Sequence, residues 1–165
     1  MNIPEEVERF RGAAIEYCHW AEQPPAEQDR EATTAVRLLS SLLHHIQSVP
    51  GADPEDLLEH EILQKGEGTL DVYRRFGALP FQYYSEVWDP IEVPGAEPVT
   101  GDLADDLMDI YVDLRQGLRY FEQNRTVQAI FHWTFSFGVH WGRHATSALR
   151  VLHCYLVDPR RQNEA

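Results

Sequence analysis

From Thr126 to Val157 only two glycines, Gly138 and Gly142, interrupt an otherwise helical pattern. With successive residues about 100° apart, Trp133, Phe137, Trp141, Ala148, Leu152 and Tyr155 fall on one side. His132, Ser136, Arg143, Ser147, Arg150 and Cys154 fall on the other. A helix that is apolar round most of its girth has to be surrounded by other elements. The constraint is strong: the chain must build a bundle around this segment.

The rest of the sequence supplies the partners. Leu103, Leu107, Ile110, Leu114, Leu118 and Phe121 recur in steps of three and four and lie within a sector of about 80°. They predict a helix from Asp102 to Gln123, antiparallel to the last helix across the tight turn Asn124-Arg125. Asp102, Asp105, Asp106, Asp109 and Asp113 occupy the opposite side, which reads as a solvated face. Val7, Phe10, Ala14, Tyr17 and Ala21 predict a helix through about Glu22, ended by Gln23-Pro24-Pro25. A stripe from Ala35 to Val49 predicts a second helix over about 26–48. Asp53-Pro54-Glu55 is a helix start, predicting a short helix to about Gln64. Another short helix is expected from Thr69 to Phe76.

From Ala78 to Gly101 the periodicity disappears. Leu79-Pro80-Phe81-Gln82-Tyr83-Tyr84 and Val87-Trp88-Asp89-Pro90 make this segment strongly aromatic, and it is longer than most loops in compact domains. We expect a collar over the bundle, with a short helical turn near Tyr83–Trp88. The fold class is thus all-α: a single domain over residues 1–165 with about five or six helices and a long aromatic loop before the last two.

A net charge of −13 leaves no cationic face to neutralise phosphates or anionic lipid, so nucleic acid and membrane surfaces are not expected as partners. The acidic N-terminus lacks the regions of a signal peptide, and no apolar run reaches the length of a membrane span. Two distant cysteines, Cys18 and Cys154, give no disulfide framework. The expectation is a cytoplasmic protein. Cys18-His19 and His153-Cys154 resemble metal half-sites, but adjacent helical residues point about 100° apart and do not chelate one ion.

Chemistry concentrates in one pair. His140 and His144 are one helical turn apart, a spacing at which two imidazoles can share a metal. The intervening Trp141-Gly142-Arg143 lacks the general-base Glu of a zinc-protease helix. On the uninterrupted helix both histidines should be at least half-buried, whereas His132 points to the polar side. A metal would need carboxylates, and Asp102, Asp106, Asp109 and Asp89 are the candidates. The residues proposed to meet a ligand or partner are therefore His140, His144, Trp141, Arg143, Asp102, Asp106, Asp109, Tyr84, Trp88 and Asp89.

Three segments carry a family resemblance: Tyr84 to Pro90, Glu97 to Tyr111, and Phe135-Ser136-Phe137-Gly138-Val139-His140-Trp141-Gly142-Arg143-His144-Ala145. From about Phe81 onward the chain resembles an uncharacterised bacterial family, domain of unknown function 5063. The resemblance implies a compact, all-helical cytoplasmic protein and assigns no activity.

Two functions follow from these readings. The leading one is a non-catalytic interaction or adaptor module, docking a protein partner or a second copy through the acidic helix or the loop. It expects an exposed apolar patch and no convergence of the histidine pair with carboxylates. The alternative is a small-ligand or metal site, open to catalysis, at His140 and His144. It expects carboxylate oxygens within reach of both rings. No motif specifies a cofactor or a reaction, and that favours the first.

Overall fold

A computed structural model of the chain describes residues 3–52, 67–95, 97–158 and 160. Helix α1 spans Glu5–Glu22, with Pro4 at its cap position. It stops where Gln23, ahead of two prolines, turns extended. Helix α2 spans Gln28–Ile46, and the Glu27 side chain accepts from the amides of Asp29 and Arg30. Helix α3 spans Glu67–Phe76. The helix expected over Asp53–Gln64 lies outside the described residues.

The loop reading needs correction. Tyr83–Val87 forms a strand, β1, antiparallel to β2 at Pro98–Asp102, with Tyr83 opposite Asp102 and Val87 opposite Pro98. Aromatic and β-branched residues fit a pleated, half-buried surface better than a helical turn, and here that preference wins. Strand β2 runs directly into helix α4, Leu103–Glu122. Asp102 caps that helix, its Oδ1 accepting from the amides of Ala104 and Asp105. Its Oδ2 accepts from the Tyr73 hydroxyl at 3.1 Å and the Gln82 amide at 3.2 Å, so hairpin, α3 and α4 meet at this carboxylate.

Helix α4 ends in a Schellman turn. Asn124 takes a left-handed φ of 60°, and the Arg125 amide returns to the Tyr120 carbonyl at 2.9 Å. Helix α5, Thr126–Ser136, leads into a π-helical turn at Phe137–Trp141 and then helix α6, Gly142–Leu156. The last helix is thus continuous but not uniform. Among the described residues the bundle has five helical rods, the fifth being α5, the π turn and α6 together. The all-α reading holds. No helix among these residues is long and apolar enough to cross a membrane.

The centre of the bundle is α4 as much as the last rod, since α4 packs against α1, α3, α5 and α6. Leu103, Leu107, Ile110 and Leu114 are fully buried, and the Tyr17 hydroxyl of α1 donates to the Leu107 carbonyl at 2.8 Å. Phe10 of α1 meets both Trp133 and Trp141. Where α1, α2 and α3 join, Glu31 forms an ion pair with Arg75 at 2.6 Å and accepts hydrogen bonds from the Trp20 indole at 3.0 Å and the Ala26 amide at 2.7 Å. The Arg75 guanidinium also lies over the Trp20 ring. This buried ion pair ties three helices together, with both side chains under a tenth exposed.

Candidate metal centre

Because α4 is covered on more than one side, its acidic stripe does not face water. Asp106, Asp109 and Asp113 are spaced three and four residues apart, so they form one row along α4. The row faces the rod formed by α5, the π turn and α6. Asp106 is buried, and the Asp109 and Asp113 side chains are only 15% and 14% exposed. The expectation of solvated aspartates is overturned for these three: it assumed that only the leucine side of α4 would have a neighbour.

The facing histidines are aligned by the π turn. On an ideal helix His132 and His140 would sit about 80° apart, and His132 and His144 about 120° apart. A π turn accommodates one extra residue and so removes about 100° of winding. Both offsets then fall to about 20°. His132, which the uninterrupted wheel assigned to a different side, accordingly joins the other two. Its Nε2 lies 3.1 Å from the Asp113 carbonyl and 3.6 Å from the Asp113 carboxylate.

Gly142 is the residue that makes room for this turn. A Cβ there would collide with the Phe137 carbonyl oxygen and ring, while one at Gly138 would meet nothing within 4 Å. The two glycines thus have different reasons for being glycine, and only Gly142 answers to close packing.

The pairing runs antiparallel. His144 Nδ1 donates to Asp106 Oδ1 at 2.7 Å, and His140 Nδ1 donates to Asp113 Oδ2 at 2.8 Å. An ionised carboxylate only accepts, so each Nδ1 carries a proton, and each ring in its neutral form presents its Nε2 lone pair. Both Nε2 atoms turn toward the same oxygen, Asp109 Oδ2, at 3.8 Å from His140 and 3.7 Å from His144. These separations are too long for hydrogen bonds. Asp109, His140 and His144 each offer a ligand atom within 4.8 Å of the other two, near enough to be drawn in around one cation.

Tyr84 completes the outer layer. Its ring lies on Gly101 of the paired strand, where a Cβ would overlap it, and its hydroxyl donates to Asp106 Oδ2 at 2.5 Å. Burial first, and then the bond to Asp106, push the Tyr84 phenol well above its ordinary range, so it stays a donor. Asp106 therefore holds both Tyr84 and His144. The Asp106 bond also raises the His144 pKa above its usual 6.5, partly opposed by burial. The His140 side chain is 45% exposed, so the cluster opens to solvent on that side.

A family model described as a domain of unknown function, DUF5063, matches residues 1–158. The chain belongs to the DUF5063 family. The match extends through the first half, where the sequence offered only a helical layout as likeness. No curated protein matches the chain. It is similar in fold to the crystal structure of protein BF1032 from Bacteroides fragilis, with a TM-score of 0.76 and 19% identity. That match covers 94% of this chain and 98% of the other.

Within this DUF5063 chain the candidate residues separate. His140, His144, Asp106 and Asp109 come together, and Tyr84 joins them through Asp106. Asp102 is a helix cap. Asp89 is exposed and accepts from the Ile91 amide in its own turn. Trp141 is fully buried, its indole donating to the Trp133 carbonyl, which makes it core. Arg143 and Trp88 meet each other, with the guanidinium 3.0 Å from the indole centroid. Neither hydrogen-bonds to the cluster among the described residues, though the Arg143 charge works against protonation of the adjacent His144. Asp113 was seen only as one of an acidic face, and its i+7 spacing from Asp106 was the available signal. Nothing in the sequence pointed to Glu86, which accepts from Ser147 of α6 and pins the hairpin to that helix. Cys18 is buried, its thiol pushed up by that burial, and Cys154 is exposed; both are free.

Proposed function

We propose that this protein is a divalent-metal-binding protein. Its centre is His140 Nε2, His144 Nε2 and Asp109, with Asp113 and Asp106 as the carboxylates that orient the two rings. One observation carries the reading: both imidazoles are tied by Nδ1 to carboxylates, so both Nε2 lone pairs aim at a third carboxylate. That is the carboxylate–histidine–metal arrangement by which outer partners fix ligand tautomer and basicity.

Zinc suits this set best. Metal–ligand distances of about 2.0–2.1 Å place tetrahedral ligands about 3.4 Å apart. Octahedral neighbours at similar bond lengths would be about 3.0 Å apart. The observed 3.7 and 3.8 Å close to the tetrahedral value with shifts of a few tenths of an ångström. Three protein ligands leave a coordination position open, as catalytic rather than structural zinc sites do, and the exposed flank of His140 gives solvent access to the cluster.

The interaction-module reading required the histidines to be apart from carboxylates. The convergence of Asp106, Asp109 and Asp113 on them favours the metal reading instead. Metal analysis of untagged protein tests it, followed by zinc, manganese and iron titrations of chelator-treated protein. One zinc per chain is expected in wild type, with loss in Asp109→Asn and His144→Ala. At a zinc concentration a hundred times Kd, binding adds about 2.7 kcal/mol of stability. Wild-type protein that carries no metal and melts unchanged in zinc would end the proposal.

A further inference from the structure

A second site is separate from the histidine cluster. A cavity of about 560 Å³ lies between the hairpin and α6. Val87 and Trp88 line one side, and Arg143, Ser147, Arg150 and Val151 the other. The volume is that of an ordinary small-molecule pocket. Arg143 and Arg150 are seven residues apart, so they lie within about 20° of each other on α6, two turns apart along the wall.

Their charge is the informative feature. Arg9, Arg11, Arg37, Arg74, Arg75, Arg115 and Arg160 all pair with carboxylates, in a chain of net charge −13. Among the described residues Arg30, Arg119, Arg125, Arg143 and Arg150 make no ion pair, and of these five Arg143 and Arg150 face this cavity. Glu86 is the one acidic residue among those lining it, and its carboxylate is already held by the Ser147 hydroxyl. Two guanidinium groups against one engaged carboxylate leave the lining net positive. The remaining wall is apolar, with Val87, Pro90 and Val151 beside the indole of Trp88, which is 64% exposed.

We propose that this cavity binds a small molecule with one oxyanion head, carboxylate or phosphate, and a flat apolar body. Arg143 and Arg150 hold the head, since the guanidinium fork matches the paired oxygens of either group. Trp88 stacks on the body and exchanges its contact with Arg143 for one with the ligand ring. The inference does not rest on the metal reading. The two sites meet at the wall residue Tyr84, which reaches Asp106, and at Arg143, whose charge acts on the neighbouring His144.

The test uses 8-anilinonaphthalene-1-sulfonate fluorescence in the presence of a chelator, so that the result stands whether or not the protein binds zinc. The dye is displaced with 1-naphthyl phosphate, 1-naphthoate or neutral 1-naphthol. Wild type should bind the dye, and the Arg143→Gln/Arg150→Gln double variant should bind it at least tenfold more weakly. Trp88→Ala should weaken the anions and naphthol alike. Both arginines are exposed and make no ion pair among the described residues, and the contact Arg143 does make is with an exposed indole, so the double variant should keep close to the wild-type melting temperature. Stronger displacement by naphthyl phosphate than by naphthoate assigns the head as phosphate, and the reverse order assigns carboxylate. Equal dye affinity in wild type and the double variant, or no displacement by either anion, overturns the proposal.

Discussion

Gly142→Ala separates a π turn held by packing from a helix that merely contains glycines. In an ordinary helix the change would stabilise by about 0.5–1 kcal/mol, because alanine loses less backbone freedom on folding. At Gly142 the new methyl would run into the Phe137 carbonyl oxygen, a backbone atom, and into the Phe137 ring, which itself packs on Trp141. Overpacking of this kind costs about 1–3 kcal/mol. The net expectation is a loss of up to about 2.5 kcal/mol, centred on about 1 kcal/mol, which for a chain of this size lowers Tm by roughly 2–4 °C per kcal/mol lost. Gly138→Ala, with open space around its new methyl, should instead gain about 0.5–1 kcal/mol. The second readout is zinc titration of the chelator-treated variants. If the strain is relieved by closing the π turn to an α turn, His140 and His144 rotate by about 100° away from α4. Zinc affinity should then fall by more than the roughly 10–100-fold that losing an outer carboxylate costs. Gly138→Ala should bind as wild type. A Gly142→Ala protein that melts at or above the wild-type temperature and binds zinc normally would refute the role given to this turn.

Asp106→Asn replaces the carboxylate that holds His144 Nδ1 with a neutral, weaker amide acceptor, and should weaken zinc by about 10–100-fold without unfolding the protein; unchanged affinity would show that the Asp106 charge does not tune the ring. Arg75→Met leaves Glu31 buried and uncompensated, at a cost of about 3–5 kcal/mol by urea denaturation, part of which Glu31→Gln in the same chain should restore. A loss below about 1 kcal/mol would mean that the pair is not buried as described. In chelator, the raised His144 pKa means that the folded state holds its proton more tightly than the unfolded chain does. The Asp106–His144 pair should therefore contribute fully below about pH 6.5, and lose that contribution as pH rises through the raised value. His144→Gln should flatten this part of the stability profile, and a slope parallel to wild type from pH 6 to 9 would contradict it.

Much of the architecture was legible because it depends on local patterns. The leucine stripe of α4, the Gln23-Pro24-Pro25 stop and the Asn124 turn each act through residues a few positions apart, and each is where the pattern puts it. The site was only half legible, for two physical reasons. A helical wheel carries its phase forward unchanged, so one π turn at Phe137–Trp141 misplaces everything beyond it by about 100°. The wheel therefore divided three histidines that the fold puts in line. A polar stripe, moreover, says nothing about whether water or another polar stripe lies opposite. Asp106, Asp109 and Asp113 looked solvated because α4 was given one neighbour, whereas α4 is covered by α1 and by the last rod at once. The two errors conceal the same centre. Removing about 100° of winding at the π turn brings the His132, His140 and His144 row onto the Asp113, Asp109 and Asp106 row in reverse order, as antiparallel helices require. Neither row would tolerate such burial alone, since a buried carboxylate or imidazole needs a partner. Each is the other's partner, and the convergence of two Nε2 atoms on Asp109 is what the proposed cation would use.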